Sequence, residues 1–153
     1  YSAGTPFIMN LLASPLPWRL GLFLLQREVA ERLTADPGGD EYGSLSIGSA
    51  LAAPASILRL APPDVFWPAP KVESAVVRMD FKPPGERLSL PWNRLRALLA
   101  AVFGARRKTL RNALRRLTKE GKEMEILARA GLDPGLRGER LSPEEFLRLA
   151  GEI

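Results

Sequence analysis

The chain has 153 residues, 46% hydrophobic and 25% charged, with a formal charge of +5 and neither cysteine nor histidine. This composition specifies a folded globular chain, and the missing cysteines exclude a disulfide framework, a zinc finger and a thiol nucleophile. The missing histidines remove the serine–histidine and cysteine–histidine nucleophile systems and the commonest ligand of catalytic zinc, so no metal site is expected.

In chain order, Tyr1-Ser-Ala-Gly-Thr-Pro6 opens without an initiator methionine or a leading strand, as in a chain cut from something longer. Thr5-Pro6 reads as an N-cap and first helical residue, predicting a helix over Phe7 to Leu12 that ends by Pro15. Met9 to Leu25 is the most apolar stretch. Pro15, Pro17, Arg19 and Gly21 interrupt it, and no membrane span is expected. The continuous apolar run Leu20 to Leu25 is the pattern of a strand covered on both faces. Gln26 to Ala35 predicts a helix with Val29, Ala30 and Leu33 on its inner side and Glu28, Glu31 and Arg32 in solvent.

Asp36 to Asp40 is a loop, and Ser44 to Leu51 has only a weak helical preference. Ala55 to Leu60 predicts a strand. Pro62 to Pro70 holds four prolines in nine residues and must be extended or turn structure. Within it, Phe66 and Trp67 either plug the sheet edge or form a stiff platform for a flat ligand, with Lys71 just beyond. Ser74 to Phe81 alternates as a strand does.

Lys82-Pro-Pro-Gly85 reads as a linker, dividing residues 1–81 from 86–153. The charge divides there too. Residues 1–81 hold six basic against eight acidic residues, a net −2, and residues 82–153 hold sixteen against nine, a net +7. Arginine outnumbers lysine 17 to 5, which favours bidentate phosphate contacts, although a GC-rich genome produces the same bias. The second half predicts helices over Trp92 to Phe103, Lys108 to Leu117, Glu123 to Ala130 and Pro143 to Ala150. Gly131 serves as a C-cap and Ser142 as an N-cap. Glu144 and Glu145, like Glu28 and Glu31, read as solvated acids.

Arg106, Arg107, Lys108, Arg111, Arg115, Arg116 and Lys119 form a run of seven cations without an acid. Leu110, Ala113, Leu114 and Leu117 supply a buried stripe. Arg107, Arg111, Arg115 and Lys119 make an adjacent i+4 row in which like charges repel. Nothing nearby in sequence offsets that row. A solvated face and a phosphate-binding face are both open readings, the second predicting salt-sensitive RNA affinity.

Several segments together resemble the ribosomal RNA adenine dimethyltransferases, the KsgA family. Tyr1 with Thr5-Pro-Phe7 resembles the end of that family's Asn-Leu-Pro-Tyr motif and the helix after it. Gln26-Arg-Glu-Val29, Tyr42-Gly-Ser-Leu-Ser46, Pro62-Pro-Asp-Val-Phe66 and Pro68-Ala-Pro-Lys-Val-Glu-Ser-Ala-Val76 follow in the family's order. So do Arg106-Arg-Lys-Thr-Leu-Arg-Asn112, Gly131-Leu-Asp-Pro134, Arg137 and Glu139-Arg-Leu-Ser142.

The resemblance implies an α/β fold: the C-terminal part of a Rossmann-like S-adenosylmethionine-dependent methyltransferase sheet over 1–81, then a small all-helical RNA-binding domain over 86–153. It implies dimethylation of the N6 amines of two adjacent adenosines near the 3′ end of 16S rRNA, by a cytoplasmic monomer acting on the small ribosomal subunit. Tyr1 and Phe66 match the aromatics that hold the target base. The seven cations and Lys71 are the RNA contacts. The glycine-rich cofactor loop and the acid for the ribose are not in this chain, and the chain alone is expected to be inactive. Two alternatives stand beside this reading: a non-catalytic RNA-binding module of ribosome assembly, and a 23S rRNA adenine methylase of the erythromycin-resistance type.

Overall fold

Ile8 and Leu12, one helical turn apart and both buried, fix the inner face of the first element. It belongs to a computed structural model that describes residues 4–104, 107–119 and 121–153. This first helix, α1, runs Gly4–Ala13. Thr5 therefore lies inside the first turn rather than capping it, two positions further in than the Thr-Pro pair predicts.

Three strands follow, β1 (Leu20–Gln26), β2 (Ala55–Ala61) and β3 (Ser74–Asp80), with α2 (Arg27–Thr34) and α3 (Ser44–Ala52) between the first two. The order is β1-β3-β2, with both pairings antiparallel. Leu20 faces Asp80 and Gln26 faces Ser74 across the first pair, and β2 carries an irregularity between Ile57 and Arg59. On one face, Leu25, Ala75, Val77 and Met79 are buried together with Ile8, Leu12, Val29, Ala30 and Leu33 from α1 and α2. The expectation for α2's inner side holds.

The opposite face corrects the two-sided reading of β1. Leu20, Leu22 and Leu24 are half exposed, because the described residues supply helices to one face only. Alternation of burial within an unbroken leucine run is what register with β3 enforces. Residues i and i+2 share a face whatever their hydrophobicity.

Residues 44–52, weakly helical by pattern, form a regular helix for a physical reason. Leu45, Ser46, Ile47, Gly48, Ser49, Leu51 and Ala52 are all buried, so α3 has almost no solvent stripe to create a period. Its hydroxyls are satisfied locally: Ser46 Oγ donates to the Arg32 carbonyl at 2.6 Å and accepts from the Gly43 amide at 3.1 Å. Gly48 lies where α1, α3 and the next long helix converge. A Cβ there would come within 3.1 Å of Trp92 and 3.2 Å of Leu12.

The second half contains a short turn of helix, α4 (Pro84–Arg87), then α5 (Trp92–Phe103), α6 (Leu110–Leu114), α7 (Glu123–Ala130) and α8 (Pro143–Gly151). Its core includes Leu95, Leu98, Leu99, Leu110, Leu114, Leu127, Phe146 and Leu149, and extends without a break into Tyr42, Ile47 and Leu51 of the first half. Trp92 packs against both cores.

The linker residues are tied down. The Lys82 amide donates to the Ala52 carbonyl at 3.0 Å, and buried Arg87 donates to the carbonyls of Lys82, Ser14, Leu16 and Trp18 at 2.6–3.2 Å. The caps at Gly131 and Ser142 are as the sequence predicts. Gly131 has φ +68°, and Ser142 and Glu145 exchange side-chain-to-backbone bonds at 3.2 and 2.8 Å.

Candidate nucleic-acid interface

The strand β1 ends at Gln26 and α2 starts at once with Arg27, leaving no intervening loop. Arg27 is a clamp. Its amide donates to the Glu73 carbonyl at 3.0 Å, one guanidinium nitrogen donates to Glu73 Oε2 at 2.7 Å, and Nε donates to Glu31 Oε1 at 2.7 Å. Glu73 terminates the proline-rich loop, so Arg27 pins the exit of that loop to the carboxyl end of β1. An open cleft lined by Gln26, Arg27, Glu28, Glu31, Val72 and Glu73 results. The carboxyl end of strands is where open α/β sheets place their ligands.

The loop leaves β2 through a single 3-10 turn, Pro63–Val65, closed by the Phe66 amide donating to the Pro63 carbonyl at 3.2 Å. Phe66 itself is extended, with φ −114° and ψ 151°, and its side chain is half-buried. Trp67 is 98% exposed, and the bond to Pro68 is cis. Lys71 is exposed. The prolines remove backbone donors and fix φ, so the two rings are presented by a frame with little freedom to lose. Tyr1, paired with Phe66 by the sequence resemblance, lies outside the described residues.

The basic run folds differently from its pattern. Regular helix covers only Leu110–Leu114, because Thr109 is extended and bridges to Arg137, and the Leu110 and Arg111 amides donate across to the Leu136 and Pro134 carbonyls. Those bonds satisfy the first helical amides from outside the helix. Beyond Leu114 the chain tightens, with the Arg116 and Leu117 amides donating three residues back. Arg107, Lys108 and Lys119 therefore lie outside α6, and the i+4 row is not one helical row.

Leu110, Ala113 and Leu114 are buried as expected, with Leu117 partly so. Arg107, Lys108, Arg111, Arg115, Arg116 and Lys119 are exposed, and Arg106 lies outside the described residues.

Nor is the row without a counter-charge. Glu123, at the start of α7, is buried, and its Oε1 lies 3.2 Å from Arg115 Nε and 3.9 Å from Arg111 Nε. Its carboxyl is held below the ordinary glutamate pKa, first by its own backbone amide and then by Arg115, against the opposing effect of burial. No helical spacing links Arg115 to Glu123, so the sequence gives little warning of the contact. The Arg27–Glu73 clamp, 46 residues apart, was equally invisible.

Among the described residues there is no group of three or more potential metal ligands and no helix long and apolar enough to cross a membrane. Nor do they form a glycine-rich strand-to-helix turn followed by an acid, the donor set for an adenosyl cofactor: β1 passes straight into the Arg27 turn. The residues present do not by themselves fit S-adenosylmethionine.

A relative from Anaeromyxobacter dehalogenans strain 2CP-C, named ribosomal RNA small subunit methyltransferase A, is 44% identical over 151 residues. The match covers 97% of this chain and 53% of the relative. A relative of the same name from Aromatoleum aromaticum is 39% identical over 153 residues, covering all of this chain and 56% of its own length. The chain thus spans about half the length of the curated relatives it matches.

Among solved structures, a dimethyladenosine transferase from Plasmodium falciparum superposes with a TM-score of 0.82 at 21% identity, over 97% of this chain and 62% of that one. The 23S rRNA methyltransferase ErmE gives 0.61 at 20% identity, over 99% and 61%. Both likenesses concern the fold alone, an α/β portion carrying a helical half. The sequence model described as ribosomal RNA adenine dimethylase matches residues 1–153 from end to end, and the chain belongs to that family.

Proposed function

We propose that this chain forms the RNA-facing part of an enzyme that dimethylates the N6 amines of two adjacent adenosines near the 3′ end of 16S rRNA. The observation that carries this reading is the pinning of the Phe66 loop at the carboxyl end of β1 by Arg27 and Glu73. A family member needs its base-holding aromatic in that position. Small-subunit names on relatives 44% and 39% identical favour this target over a large-subunit adenine.

In this reading Phe66 and Tyr1 hold the extruded adenine by stacking. Arg106, Arg107, Lys108, Arg111, Arg115, Arg116, Lys119 and Lys71 hold the RNA backbone. The exocyclic amine is a poor nucleophile because its lone pair is delocalised into the ring, so fixing its orientation supplies most of the rate. A single-stranded loop lowers the cost of extruding the base. S-adenosylmethionine, bound by residues other than those of this chain, supplies an electrophilic methyl group. The open face of Leu20, Leu22 and Leu24 is where the remaining length of the relatives would pack. The enzyme works as a cytoplasmic monomer.

The test is transfer of labelled methyl groups from S-adenosylmethionine to immature small subunits. The 153-residue chain and a full-length protein containing it are compared. Transfer by the longer protein and none by the chain alone is expected. A longer protein that leaves small-subunit rRNA unmethylated overturns the reading.

A further inference from the structure

Among the described residues Trp67 is the most exposed large apolar side chain, at 98%, although tryptophan is highly buried on average. Its neighbour Phe66 is half-buried, and the backbone at Phe66 is extended. Successive side chains on extended backbone point to opposite sides, so the two rings cannot clasp one base between them. Prolines at 62, 63, 68 and 70 stiffen the frame, and the Arg27–Glu73 clamp anchors its exit. Lys71, four residues after Trp67, is exposed on the same loop.

We propose that Trp67 is a second base-stacking residue, which holds a nucleotide adjacent to the adenine held at Phe66. The proposal rests on the adenine methyltransferase reading above. Three features select a base as occupant over an apolar protein surface. The ring stands alone on a stiffened loop, it is continuous with the residue assigned to the target base, and a cation lies four residues away for the connecting phosphate. Stacking is tolerant of base identity, since every base has a π-face. The same ring therefore serves whichever of two adjacent adenosines is in the pocket. In chemical terms Trp67 sets the register of the strand, while Phe66 meets the reacting base.

The test uses the full-length protein and a small-subunit rRNA hairpin with 2-aminopurine placed next to the target adenine. Trp67→Ala is expected to raise KM for RNA roughly 5- to 150-fold, the range of one lost stacking contact, with kcat within about twofold. Quenching of the 2-aminopurine on binding should vanish in Trp67→Ala and return in Trp67→Tyr. A KM unchanged within twofold, or quenching that persists in Trp67→Ala, overturns the proposal. A loss seen on intact particles but not on the naked hairpin also overturns it, because the ring would then be docking on protein. The underlying reading fails separately, if the wild-type protein transfers no methyl group while Trp67 still quenches the probe.

Discussion

The hydroxyl of Tyr42 donates to the carbonyl of Leu141 at 2.8 Å, joining residues 99 positions apart and tying the α/β half to the helical half. Tyr42 is 1% exposed and its ring meets Phe103 edge-on. Tyr42→Phe keeps that packing and strands a buried carbonyl, so a loss of about 1 kcal/mol in urea unfolding is expected. Burial, then Glu144 and Glu145, raise the phenol's pKa above its ordinary value. A raised native pKa stabilises the fold below the unfolded value, about 10, and that contribution is lost as pH rises beyond it. The wild-type protein should therefore weaken above about pH 10 more steeply than Tyr42→Phe.

Arg87 holds the junction from the other side, donating to four carbonyls while its guanidinium lies 5.4 Å from the centre of the Phe81 ring. Methionine at this position would fill similar volume and remove the Arg87 donors, leaving only the Leu16 carbonyl, among the described residues, with a second partner, the Trp18 amide. Arg87→Met should cost on the order of 3 kcal/mol by thermal or urea unfolding, whereas Arg94→Met, on an exposed surface, should cost less than about 0.5 kcal/mol. Equal effects of the two would remove Arg87 from this role.

How far these contacts could be read from sequence depends on their range. The α2 face, the Gly131 and Ser142 caps and the alternation of β3 are local, set by residues within one or two turns, and they were legible. The α3 helix hid its period because it is buried on nearly every side. The leucine run of β1 concealed an open face, since hydrophobicity alone does not tell which face the described helices cover. The basic run looked like ten residues of helix, but bonds from the Leu110 and Arg111 amides to the Leu136 and Pro134 carbonyls set where the helix begins. The motif residues drew attention to the proline-rich loop and the basic run; the partners Arg27–Glu73 and Arg115–Glu123 depend on tertiary approach that no spacing encodes.

Glu123 limits how strongly Arg111 and Arg115 repel one another. Its pKa is lower in the fold than in the unfolded chain, so its carboxylate favours the native state above about pH 4.3. That contribution fades as pH falls through the native value. Glu123→Gln should be less stable than wild type near neutrality, and the gap should narrow as pH falls below about 4.3. A gap independent of pH would show that the charge on the Glu123 carboxylate does not stabilise the helical half.

If the exposed cations bind phosphates, the salt dependence counts them. Arg107→Glu, Arg111→Glu and Arg115→Glu combined should lower RNA affinity. They should also flatten the slope of log affinity against log salt by roughly 0.7 per lost contact on single-stranded RNA, about 2 in all. Binding measured from about 50 to about 200 mM salt checks this. Affinity and slope both unchanged would return the run to a solvated face.

The clamp at the loop exit makes a sharper demand. Arg27 touches the loop through Glu73 and not through Phe66, so its effect on methyl transfer must pass through position. Phe66→Ala removes the ring that orients the reacting base, and should reduce kcat in a full-length protein by about 10-fold or more while changing RNA affinity less, because orientation of the amine acts on the transition state and the RNA backbone contacts remain. Tyr1→Ala should behave alike. Arg27→Glu and Glu73→Arg should each lower kcat, and the double exchange should restore much of it by re-forming the pair with reversed polarity. Exposed ion pairs contribute only about 0–1 kcal/mol to stability, so unfolding should barely change in any of the three. Recovery of kcat in the double variant at constant stability would mark Arg27 as a positioning residue. Failure to recover, with both single variants folded, would leave the shared backbone bond from the Arg27 amide to the Glu73 carbonyl as the contact that holds the loop.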